Sequence, residues 1–177
     1  MDNYGYLHLP IEQVVRRTDT RFQIGFATEA REMFPENEEY ALTGSRAGLH
    51  ILAKNEEALE MPVEILREVY GSRIAVDPPS VRLIGGAQLQ EPVMHVRISL
   101  EKRLAGEVKR AMERRGAALE EEYARSIYCV LRYQAPLARL LGLPAELAAL
   151  TGGRAKHWTA LSHYAIVTGG GPGGRAA

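Results

Sequence analysis

Pro136 to Tyr164 reads PLARLLGLPAELAALTGGRAKHWTALSHY, and its order of breaks decides how the rest of the chain is divided. The segments Leu137 to Leu141 and Pro144 to Leu150 predict two short helical pieces. Proline suits the first turn of the second piece, where a backbone N–H would have no partner in any case. Thr151-Gly152-Gly153-Arg154-Ala155 then turns the chain, and Lys156 to Val167 predicts a strand that carries His163-Tyr164 near its end.

Working upstream, Val93 to Leu100 (VMHVRISL) places Met94, Val96, Ile98 and Leu100 on one face and Val93, His95, Arg97 and Ser99 on the other. That is the alternation of a half-buried strand. Glu101 to Arg115 predicts a helix with Leu104, Val108, Ala111 and Met112 on one side and Gly116 as its stop. Ala118 to Ala124 and Ser126 to Gln134 predict a strand pair, with Ile127, Cys129 and Leu131 sharing a face.

The first half predicts the same order. Tyr4 to Leu9 reads as a strand, Ile11 to Thr18 as a short helix, Arg21 to Thr28 as a strand, and Tyr40 to Ala53 as one or two strands. Asn55 fits an N-cap ahead of a helix carrying Leu59, Val63 and Leu66, in which Pro62 should cause a kink or restart, and Gly71 is its stop. Arg73 to Val76 and Ser80 to Ile84 read as closing strands around Pro78-Pro79. Both halves therefore predict β-α-β-β-α-β, so the fold class is α+β: two tandem ferredoxin-like domains with antiparallel sheets. The predicted divisions are residues 1–84, a linker at 85–90, residues 91–167, and a disordered Gly-rich tail at 168–177. Each domain is expected to have its own core.

Composition narrows the function classes. The 177 residues carry 22 acids and 22 bases, 46% hydrophobic residues and a single cysteine. An intramolecular disulfide and a multi-cysteine metal site are excluded. No apolar run approaches the roughly 20 residues of a membrane span, and Met1 to Pro10 lacks a signal-peptide pattern, so a cytoplasmic protein without a membrane partner is expected. The neutral total hides an asymmetry, with 14 acids against 9 bases up to Gln90 and 8 against 13 from Glu91 onward. A basic half either steers the chain toward a phosphate backbone or reflects chance placement.

The run from Thr151 to Tyr164 resembles the fifth, C-terminal domain of elongation factor G and related translational GTPases, whose pattern is Thr-x-Gly-Arg-(Gly/Ala), a strand and His-Tyr. Glu91-Pro92-Val93 resembles that domain's entry, and Glu113-Arg114-Arg115-Gly116 its Arg-Arg-Gly helix stop. The Gly-x-Val of that helix falls one position late. Gly44 to Ile51 and Val76 to Val81 resemble parts of the family's third domain, the former one residue longer and followed by an insertion around Lys54 to Leu59. Only five residues separate Leu83 from Leu89, so the fourth domain that lies between these two in the family is missing, and no segment reads as a GTPase.

The resemblance implies a non-enzymatic protein that binds the ribosomal factor-binding region, meaning large-subunit rRNA near the sarcin-ricin loop and the stalk base. A protein-interaction or small-ligand module on the same scaffold is the alternative reading. At 100° per residue, Arg103, Arg110 and Arg114 form a stripe beside Lys102 and Lys109. With Arg115 and Arg154 these are the candidate rRNA contacts. The stripe reads equally as a solvated helix face, partly neutralised by pairs such as Glu107-Arg110. Gly152-Gly153-Arg154 either offers amides to phosphate or ends a helix.

The remaining groups read as structural: His163-Tyr164 as architecture, His50 as a satisfied sheet residue and Cys129 as core. With no phosphate-binding Gly-x-x-x-x-Gly-Lys-(Ser/Thr) loop, no His-x-x-x-His spacing and no catalytic constellation, no nucleotide, cofactor or metal is expected.

Overall fold

The computed structural model describes residues 6–35, 37–85 and 87–167. Two antiparallel sheets, each backed by helices on one face, follow one another along the chain. The first contains β1 (Ile11–Arg17), β2 (Tyr40–Ser45), β3 (Gly48–Ala53), β4 (Ile74–Val76) and β5 (Ser80–Val81), with α1 (Gln23–Arg31) and α2 (Glu57–Tyr70) against it. Its order is β2-β3-β1-β4, and β5 also pairs with β1. The second contains β6 (Gln90–Glu101), β7 (Ala118–Arg125), β8 (Tyr128–Pro136) and β9 (Lys156–Ile166) in the order β7-β8-β6-β9, with α3 (Ala105–Arg114) and α4 (Leu143–Thr151). Short 3-10 turns at Lys102–Leu104 and Leu137–Arg139 lead into these helices. The α+β, tandem ferredoxin-like reading holds.

The first elements differ from their sequence reading. Residues 11–17 form a strand rather than a helix, and 23–31 a helix rather than a strand. Ile11 and Val15 are spaced by four, which fits one helical turn and two strand repeats alike. β-branched Ile11, Val14 and Val15 favour the extended form, and pairing with β3 on one side and with β4 and β5 on the other makes β1 a central strand. In α1 only Phe26 of the alternating Phe22, Ile24 and Phe26 is buried. It packs with Ala27 and Ala30 at helical spacing, while Phe22 is 70% exposed. Of the strand expected at Tyr4 to Leu9, Tyr4 and Gly5 lie outside the described residues and 6–8 form a turn in which Leu9 N–H donates to Tyr6 O.

Gly48 has φ 144°, and a Cβ there would lie 2.4 Å from Val15 O. The β2–β3 hairpin can approach β1 only with glycine at that point. Asn55 Oδ1 accepts the Ala58 N–H, as expected of a cap. α2 runs unbroken through Pro62 rather than restarting there. Burial of Leu59, Val63, Leu66 and Tyr70 along its inner face outweighs one missing backbone hydrogen bond.

In β6, Met94, Val96, Ile98 and Leu100 are fully buried. They meet Val108 and Met112 of α3 and Leu143 and Leu147 of α4 within one apolar cluster. Ile11, Leu49, Leu59 and Leu66 belong to that same cluster, so the buried side chains of the two sheets are continuous and do not form the two separate cores expected. Leu137, Leu140 and Leu143 line one small cavity with Ile11 at the junction and belong to the same cluster. Tail residues 168–177 lie outside the described residues.

Candidate nucleic-acid interface

The solvent side of α3 is built by what its other side buries. Ala105, Val108, Ala111 and Met112 face the sheet, which leaves Arg110 and Arg114 of α3 exposed, with Lys102 and Arg103 exposed on the 3-10 turn that leads into it. Most of this basic face is held by acids from neighbouring elements. Arg103 Nε donates to Glu101 Oε2 at 2.6 Å, and Arg154 Nη1 approaches Glu101 Oε1 at 3.6 Å. The Arg103 hydrogen bond holds the Glu101 carboxyl below its usual range. Lys109 donates to Glu122 of β7 at 2.5 Å.

Arg114 and Arg115 share Glu146 of α4 at 3.2 and 2.7 Å, and the Arg115 hydrogen bond lowers the Glu146 carboxyl. Arg115 also donates to the carbonyls of Arg139 and Leu141, and its side chain is only 19% exposed. It ties α3 to α4. Glu107 and Arg110 make no ion pair among the described residues, and the neutralisation falls instead on Arg103, Lys109 and Arg114 through acids of other elements. Lys102 is likewise without an ion pair among the described residues. Arg103 and Arg114 keep 63% and 64% of their side chains exposed, so each guanidinium still faces water beside its carboxylate.

The Thr-Gly-Gly turn is a helix terminator. Gly152 and Gly153 are left-handed, both amides donate to Ala148 O, and Arg154 N–H donates to Thr151 O. Thr151 Oγ1 donates to Leu147 O and accepts Ala155 N–H. These amides are occupied and do not form an anion cradle. Arg154 adds a second tie through Nε to Thr151 O.

His163 is exposed beside Ser162, whereas the Tyr164 hydroxyl donates to Leu7 O at 2.9 Å. His50 lies between Ser45 Oγ at 2.6 Å and Glu12 Oε1 at 2.7 Å on the open face of the first sheet. Cys129 is buried, and burial followed by the nearby Glu122 pushes its thiol up. No group of three or more metal-ligating side chains converges among the described residues, and no described helix is long and apolar enough to cross a membrane.

One cluster escaped the sequence reading. The solvent face of the second sheet carries Trp158, Tyr123 and Tyr128, all more than half exposed, interleaved with Arg97, Arg132 and Lys156. The available signal was strand alternation, which puts Arg97 and Trp158 opposite the apolar positions. It becomes a cluster only once the strand register is known.

The N-terminal half is fastened to the other half by polar contacts as well as apolar ones. Both Glu56 oxygens accept the Gly142 N–H at 3.0 Å, and His157 Nε2 lies 2.8 Å from Glu57 Oε1. Burial raises the Glu56 carboxyl above its ordinary value, and the Gly142 hydrogen bond partly offsets this.

Residues 88–171 match the family model described as elongation factor G C-terminus. Elongation factor G 2 of Hahella chejuensis is 35% identical over 78 residues, covering 44% of this chain and 12% of that protein. Elongation factor G 1 of Treponema denticola is 31% identical over 78 residues, covering 44% of this chain and 11% of that protein. The chain thus spans a small part of the curated relatives it matches. A solved structure from Thermus thermophilus, that of the protein ttk003000868, covers 94% of this chain and 42% of its own, with a TM-score of 0.64 and 14% identity, and so shares the fold.

Proposed function

With residues 88–171 matching the elongation factor G C-terminus, we propose that the chain acts in translation by docking on the ribosome and does no chemistry of its own. Its site is the large subunit's factor-binding region, where large-subunit rRNA and the stalk base lie together. Occupying that region regulates access of translation factors. Residues 11–81 serve in this reading as the counterpart of the family's third domain.

The family match carries the proposal. The exposed face of α3 supports it, because Lys102 and Arg110 are unpaired among the described residues and Arg103 and Arg114 are largely exposed. These four take the phosphates. Lys109, Arg115 and Arg154 contribute less to binding, since carboxylates or carbonyls of the chain itself hold them. Phosphate contacts position a protein on RNA without reading sequence, so the reading of the site as rRNA depends on the surrounding ribosomal shape.

Chemical footprinting of ribosomes with and without the chain tests the proposal. Protection confined to large-subunit nucleotides around the factor site is expected, and it should weaken when Lys102 and Arg110 become glutamine. Protection elsewhere, or none at saturating protein, contradicts it.

A further inference from the structure

The second sheet has the β7-β8-β6-β9 order, which within its own unit places the first and third strands at the centre. RNA-recognition modules use this arrangement to lay single-stranded bases across an open sheet. Here α3 and α4 cover one face, and the opposite face is open. Register fixes what stands on it. Arg97 lies opposite Trp158 on one side and Arg132 on the other, and Arg132 lies opposite Glu121. The adjacent row runs Lys156, Ser99, Val130, Tyr123 across the same four strands. Rows on one face are about 7 Å apart along a strand and strands about 5 Å apart, so Trp158 stands beside Arg97 and Lys156 at one edge, while Tyr123 and Tyr128 stand on the far strands about two to three strand spacings away.

We propose that this open face is a stacking platform for single-stranded RNA, with bases on Trp158, Tyr123 and Tyr128 and phosphates on Arg97 and Lys156. The exposure of these aromatics supports the assignment. Trp158 is 58% exposed, Tyr123 58% and Tyr128 56%, so all three rings present a face to solvent. A groove of about 570 Å³ runs between Trp158 and the pair Arg132–Glu121, with Val96 and Tyr133 beneath it.

Charge fits a polyanion on one side of the groove and base edges on the other. Arg97 and Lys156 make no ion pair among the described residues, while Glu121 holds Arg132 at 2.8 Å and Glu120 lies 3.6 Å from His95. The two glutamates are acceptors placed for base amino groups rather than for phosphates. Stacking tolerates any base, so the platform selects an unpaired strand over a duplex and has little sequence preference. It lies on the opposite side of the sheet from α3 and does not depend on ribosome docking.

Trp158 is the only tryptophan in the chain, so its fluorescence reports directly on the site. Titration with an unstructured RNA oligonucleotide of about ten nucleotides should quench it saturably, whereas duplex RNA of the same length should leave it unchanged. Binding of labelled oligonucleotide, followed by anisotropy, should weaken about tenfold or more in Trp158→Ala and survive in Trp158→Phe. Arg97→Gln with Lys156→Gln should flatten the salt dependence. Substituting Lys102 and Arg110 should leave quenching intact, which separates this site from the ribosome-docking face. The proposal is overturned by no quenching up to about 100 μM oligonucleotide at low salt, by equal quenching with duplex, or by Trp158→Ala binding as the parent does.

Discussion

The Tyr164 hydroxyl donates to the Leu7 carbonyl at 2.9 Å, across 157 positions of sequence. Arg82 donates to the carbonyls of Tyr6 and Leu9 on either side of that acceptor, so the final strand and the first described residues are held at one point. Burial raises the Tyr164 phenol, and Arg82 pulls the other way. Tyr164→Phe keeps the ring and removes the donor, so it should cost about 1 kcal/mol in denaturant unfolding. Because the apolar cluster runs through both sheets, the loss should shift a single transition rather than separate two.

Tyr133 presents the opposite case. Its hydroxyl is buried without a hydrogen-bond partner among the described residues, and desolvation pushes its pKa up to about 12. Tyr133→Phe should therefore leave stability unchanged or raise it by up to about 1 kcal/mol at neutral pH. The folded pKa lies above the unfolded value near 10, so the folded state holds the proton more tightly. Stability from this group is fully present below about pH 10 and is lost as pH rises toward 12. Melting across that alkaline window should fall less steeply in Tyr133→Phe than in the parent.

At the junction, Glu56 sits half-buried with both oxygens on the Gly142 N–H. Its raised carboxyl means that the folded chain favours the protonated form. The contribution is present below the unfolded carboxyl pKa and is lost as pH rises through the folded value. Glu56→Gln keeps an acceptor without the charge and should match or slightly exceed the parent at pH 7. Glu56→Ala should lose about 0.5 to 1 kcal/mol. Thermal melts taken as pH rises from the ordinary carboxyl range should show a shallower decline for Glu56→Gln than for the parent.

The basic residues of the α3 region divide by the same physical criterion. Arg115→Gln should destabilise the chain by about 1 to 3 kcal/mol, because it takes from Glu146 the closer of its two arginine partners and leaves the carbonyls of Arg139 and Leu141 without that side-chain donor. Arg110→Gln, which breaks no ion pair among the described residues, should stay within about 0.5 kcal/mol of the parent. Urea unfolding of the two variants side by side checks the contrast.

These distinctions mark the boundary of what a sequence can disclose. β6 was legible because the seven residues from Met94 to Leu100 alternate without exception, and a strand pattern that long has no helical equivalent. β1 and α1 were exchanged because the Ile11 and Val15 spacing satisfies both periods, and only pairing with β3, β4 and β5 decides between them. The basic stripe was legible from helical angles, although Lys102 and Arg103 stand on the 3-10 turn ahead of α3 and Glu101 belongs to β6. Its neutralisation was not, since Glu101, Glu122 and Glu146 come from three other elements. Trp158, Tyr123 and Tyr128 come from three strands and are placed on one face of the sheet only by the register of β9, β6, β8 and β7.

The most direct measurement is co-sedimentation of the chain with purified large ribosomal subunits across a salt series, with intact elongation factor G as competitor. The account predicts pelleting at low salt that falls steeply as salt rises, displacement by the factor, and a flatter salt dependence when Lys102, Arg103, Arg110 and Arg114 are changed to glutamine. Pelleting that is absent at low salt, or that ignores both the competitor and the fourfold substitution, would contradict ribosome docking through α3.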